Sequence, residues 1–130
     1  MPVVYEIDQS RNTIHTSCIG DVTLYEVVEH FQTLEQDPAC PSHLDVVLNL
    51  SDQASVPSTS QLRIVSEEIA RVKGRVQFGA CAIVVGNDAL YGAAMVFEVL
   101  AARGFRVTKI FRDRDAALSW LWRQQQQRPN

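Results

Sequence analysis

Two apolar runs, DVVLNL (Asp45–Leu50) and VQFGACAIVVG (Val76–Gly86), constrain the fold more than any other feature of the chain. The first is a short continuous apolar run and the second has the β-branched centre AIVV, as expected of strands covered on both faces. Between them Leu62, Val65, Ile69 and Val72 recur at helical spacing until Gly74. Strand, helix and strand in that order make a parallel crossover unit, which commits the chain to the α/β class.

The flanking segments extend the same pattern. VVYEID (Val3–Asp8) and TIHTSCI (Thr13–Ile19) enclose the polar turn QSRN and are expected to form an antiparallel hairpin. Thr23 with Glu26 three residues on forms a capping box, and Leu24, Val27, Val28, Phe31 and Leu34 continue a helix that Asp37-Pro38 ends. A third helix is expected over 89–103, closed by Gly104 as a left-handed cap. FRVTKIF (Phe105–Phe111) reads as the fifth strand, and Asp113 caps a last helix with Ala117, Trp120 and Leu121 on one face. Gly79 marks a bulge or close approach within its strand. The order is ββαβαβαβα: a mixed five-stranded sheet with strand 1 antiparallel, strands 2–5 parallel and helices on both faces. One domain over 1–123 is expected, with the QQQQRPN tail, 124–130, frayed.

Composition removes several function classes. The net charge of −3 argues against a nucleic-acid partner. No apolar run approaches the roughly 20 residues of a membrane span, and MPVVYEID lacks the features of a signal peptide, so a cytoplasmic location is expected. Cys18, Cys40 and Cys81 are widely spaced and expected to be reduced, with Cys81 in the core. His15, His30 and His43 fall on a strand, an exposed helix face and a loop without metal-ligand spacing, so neither metal nor cofactor is expected.

Ligands of open α/β sheets bind outside the carboxyl ends of the parallel strands, which here places the candidate loops at 20–23, 51–60, 86–88 and 112–113. The longest begins in NLSDQASVPSTSQL (Asn49–Leu62), where Ser58 and Gln61 form a second capping box and Ser58 or Thr59 is expected to cap the helix. Ser58, Thr59 and Ser60 are the phosphoacceptor candidates. Asp21, Asp52, Asp88 and Asp113 fall near strand ends, where converging carboxylates could hold magnesium or serve a small enzyme. A receiver-type phosphoaspartate site would need an acidic pair after the first parallel strand, and CIGDVT supplies one carboxylate. ALYGAAMVFEVLAA carries Leu90, Ala93, Ala94, Phe97, Leu100 and Ala101 toward the sheet, leaving Met95, Val96 and Val99 beyond the stripe. Trp122 points away from the stripe of the last helix. Asp52, Asn87, Asp88, Tyr91, Met95, Val99 and Trp122 are therefore candidates for contact with a ligand, a partner or a twin subunit.

The element order, with NLSDQASVPSTSQL, YGAAMVFEVLA and VTKIFRDRDAALSWL, resembles the STAS superfamily, the fold of sulfate-transporter domains and anti-sigma-factor antagonists, and within it the SpoIIAA-like (STAS/SEC14-like) branch. The resemblance covers nearly the whole chain through apolar and capping residues. It implies a binding or regulatory module without catalysis of its own, whose partner is a protein or a small apolar ligand. Classical antagonists present a phosphorylated serine or threonine at the start of helix 2. Thr59 stands at that position, with Ser58 where the family has aspartate and Gln61 where it has glycine.

Overall fold

The two apolar runs become adjacent strands of one sheet, in a computed structural model that describes residues 2–127. The elements are β1 (Val3–Asp8), β2 (Thr13–Gly20), α1 (Leu24–Gln36), β3 (His43–Gln53), α2 (Thr59–Arg71), a 3₁₀ turn (Val72–Gly74), β4 (Gln77–Val85), α3 (Asp88–Leu100), β5 (Val107–Phe111) and α4 (Arg114–Gln126). The sheet order is β1-β2-β3-β4-β5, with β1 antiparallel to β2 and every other pairing parallel.

Successive parallel crossovers of one hand put their helices on one face. Accordingly α1, α2 and α3 share a core with Ile14, Val46, Cys81 and Ile83. The opposite face belongs to α4, where Ala117, Trp120 and Leu121 pack on Val47, Ala80, Ala82 and Val84. The small side chains of Ala80 and Ala82 leave room there for the Trp120 ring, which also meets Phe111 at 5.6 Å.

Four local features depart from or refine the sequence expectations. β3 runs on through the polar residues Ser51–Gln53, because Asp52 and Gln53 pair with Ile19 and Gly20 of β2. The bulge at Gly79 is present: Phe78 pairs with Leu44 but Cys81 with Val46, so β4 carries one extra residue. Gly104 is not a left-handed cap, and α3 closes earlier, at Leu100. Its role is close approach, since a Cβ there would lie 2.6 Å from Cγ2 of Ile69. The tail expected to fray from 124 is helical through Gln126, because Gln125 donates to Thr13 Oγ1 (2.9 Å) and to a carboxylate oxygen of Asp45 (2.8 Å). Arg128–Asn130 lie outside the described residues.

Among the described residues Asp45 is the one acidic side chain buried in the core, 2% exposed. Its other carboxylate oxygen accepts the Ala80 N–H at 2.8 Å, a backbone donor that the bulge removes from the regular ladder. Burying a carboxylate is costly unless it is hydrogen-bonded, and these bonds join the bulge to the end of α4. Among the described residues no helix is long and apolar enough to cross a membrane.

Candidate functional site

Burial in a five-stranded sheet should be deepest on the middle strand. Leu48 and Leu50 nevertheless remain half-exposed on the helix face of β3. The cause is an apolar cavity of about 160 Å³ between the sheet and α1–α3. Its sheet wall includes Thr16 and Cys18 of β2 with Leu48 and Leu50 of β3, and its helix wall includes Val27, His30, Leu62, Val65, Ala93 and Ala94. Toward the strand carboxyl ends the wall reaches Val22, Thr23, Gln53, Pro57 and Gln61. Among the described residues no Asp, Glu, Lys or Arg lines it.

Local sequence explains this arrangement. Thr23 and Ser58 start α1 and α2 with complete capping boxes, the Ser58 hydroxyl accepting the Gln61 N–H and Gln61 Oε1 accepting the Ser58 N–H. The two loops are joined where Ser55 Oγ accepts the Val22 N–H at 2.9 Å. At the opposite end Arg71 ties the helices together, 2.7 Å from Glu35 of α1 and 2.9 Å from Glu68 of its own helix. Arg75 adds bonds to the carbonyls of Asp37 and Cys40. These contacts set the spacing of α1 and α2 at both ends, while apolar side chains line the space between.

His30 corrects the expectation of an exposed histidine. It is half-buried in the cavity wall, edge-on to Tyr5 with centroids 5.3 Å apart and to Phe31 at 5.5 Å. Burial pushes its pKa down to about 4, so the ring is neutral near pH 7. Tyr5 donates a 2.6 Å hydrogen bond to Asp37, and burial together with that bond raises its pKa to about 12. Burial likewise raises the Cys18 thiol to about 11, well short of a reactive thiolate.

The other candidates are dispersed. Asp52 is exposed on β3, Asp88 is paired with Arg112 at 2.7 Å, and Asp113 caps α4 by accepting the Ala116 N–H. No group of three potential metal ligands occurs among the described residues, so the convergent carboxylates that magnesium would need are not formed there. Asn87 caps α3 through the Leu90 N–H, and Arg112 lies over the Tyr91 ring at 4.7 Å. Thr59 and Ser60 are exposed in the first turn of α2, whereas Ser58 is engaged as the cap. Replacing Ser58 by Ala is expected to lower stability by about 0.5–2 kcal/mol, measurable by urea denaturation, with Ser58→Asp retaining most of the cap.

Met95 and Val99 are 52% and 75% exposed on α3. Trp122 does not point outward. It is half-buried over β2, beneath the Arg11 guanidinium at 4.0 Å and edge-on to His15. Thr16, Cys18 and His30 are wall residues outside the sequence-based candidates. Two signals could have found them: Ile14, Thr16 and Cys18 alternate on one strand face, and His30 falls three residues after Val27 and four before Leu34 on the apolar side of α1. No family model matches the chain, and no curated protein matches it in sequence.

Proposed function

We propose that this chain is a STAS-like binding domain, non-enzymatic in itself, that holds a small apolar ligand between its sheet and helices α1–α3. The observation that carries the reading is the cavity of about 160 Å³, whose wall has no Asp, Glu, Lys or Arg among the described residues. An apolar space of roughly 150 Å³ is enough to admit benzene in a protein core. It is well below the roughly 300 Å³ at which pockets for drug-sized molecules begin. The opening that leaves Leu48 and Leu50 half-exposed supports entry of a guest from solvent.

Native mass spectrometry of the protein taken from its source cells tests this role. The expected spectrum contains a non-covalent adduct of small mass, absent from an Ala93→Leu variant whose longer side chain fills the space. Adducts present equally in both would count against the cavity. Ala93→Leu is also expected to raise unfolding stability by about 0.5–2 kcal/mol, since filling a void adds contacts without exposing surface. A denaturation midpoint below that of the parent chain would show that the space is already closed.

The row Met95, Val96 and Val99 favours a second reading, a protein partner or twin subunit on the outer face of α3. Sedimentation at high concentration tests it for self-association: dimers that Val99→Glu abolishes support it, and a monomer at every concentration removes the twin subunit.

A further inference from the structure

We infer that the cavity selects a neutral, ring-sized molecule carrying one hydroxyl or carbonyl group, hydrogen-bonded to the side chain of Thr16. This inference rests on the proposed binding role and names the chemistry of its ligand. Thr16 is a polar residue only 5% exposed, placed between Ile14 and Cys18 on the helix face of β2. Among the described residues no group hydrogen-bonds to its hydroxyl. No fully enclosed side-chain polar atom lacks a partner there, so the hydroxyl must open into the cavity that Thr16 lines. A buried hydroxyl without a partner is costly, and a ligand able to pair with it recovers that cost.

Three other polar wall residues are engaged locally, and His30 meets Tyr5 and Phe31 through ring contacts. Thr23 exchanges hydrogen bonds with Glu26, Gln61 accepts from the Ser58 N–H, and Gln53 donates to the Ser55 carbonyl. A carboxylate or ammonium ligand would give up its hydration without meeting an opposite charge, because among the described residues the wall has no Asp, Glu, Lys or Arg and His30 is neutral near pH 7. The volume limits the apolar body to about the size of one benzene ring.

Titrations of the whole chain with benzene, phenol and benzoate at pH 7, followed by amide chemical shifts, test this selection. Wild-type protein should bind phenol at least as tightly as benzene and give no saturable response to benzoate. Thr16→Val should weaken phenol by roughly tenfold and change benzene by no more than about twofold, because only phenol loses a hydrogen bond. Thr16→Ser, which keeps the hydroxyl, should retain phenol binding. Unchanged phenol affinity in Thr16→Val, or a wild-type preference for benzene over phenol of roughly tenfold, would overturn the inference while leaving an apolar binding cavity in place. Failure of both neutral rings to bind would overturn the cavity reading as well. If Thr16→Val does not fold, the wild-type ranking of phenol, benzene and benzoate decides the question alone.

Discussion

Replacing Asp45 by Ala is expected to lower unfolding stability by about 2–4 kcal/mol, since the Ala80 N–H and the Gln125 amide each lose a charged acceptor. The melting temperature should fall on the order of 10 °C. The loss should not be evenly spread. Gln125 lies in the last turn of α4 and would keep only its bonds to Thr13 and the Arg11 carbonyl, so removing the carboxylate should loosen that turn first. Hydrogen exchange of α4 then separates this account from a general weakening of the core: protection should drop at 121–126 before it drops in β3 and β4. A denaturation midpoint within experimental error of wild type would mean that the Asp45 bonds do not stabilise the fold.

Acidification is the second large perturbation. The His30 pKa lies at about 4 in the folded chain, against an ordinary value of 6.5, because burial disfavours the charged ring. Between pH 6.5 and about 4 the unfolded chain therefore carries a proton on this residue that the folded chain does not. Stability must fall as the pH falls through that window, and it levels off below it, where both states are charged. Allowing for a ring that is only half-buried, the loss assigned to His30 is about 2 kcal/mol. His15, whose pKa is lowered by burial and by Arg114, adds a loss of the same sign. Asp37, lowered by the Tyr5 hydrogen bond, titrates below the window. Urea denaturation at pH 7 and pH 4.5 measures the difference, and His30→Leu should flatten most of it. A His30→Leu chain that loses as much stability on acidification as the parent would remove His30 as the cause.

The element order could be read because each helix carries a local start signal and each buried strand an apolar run. Thr23 with Glu26, Ser58 with Gln61, and Asp113 all cap where their spacing implies. The misread features depend on partners distant in sequence. Ser51–Gln53 are polar and look like loop, but pairing with Ile19 and Gly20 extends the strand. Gly104 follows a helix as cap glycines do, yet Ile69 is what excludes a side chain there. The glutamine tail is helical where Gln125 reaches Asp45, far away in the chain. Trp122 was expected to face outward because its own helix could not reveal the Arg11 and His15 side chains that cover it. Asp52, Asn87, Asp88 and Tyr91, singled out near the strand carboxyl ends, do not line the cavity, which meets that edge at Val22, Thr23, Gln53, Pro57 and Gln61. A cavity is a shortfall of packing among several elements, and no local pattern encodes its volume. His30 was within reach, since its spacing from Val27 and Leu34 places it on the apolar side of α1.

A small apolar molecule is proposed to bind in the space between the sheet and α1–α3. A benzene titration of wild type and Ala93→Leu, with amide shifts assigned along the chain, tests it most directly. The expected result is a saturable response in wild type centred on Thr16, Leu48, Leu50 and Val65, all wall residues, and lost in Ala93→Leu. A response that never saturates, or one confined to the exposed row of Met95, Val96 and Val99 in both proteins, would contradict it.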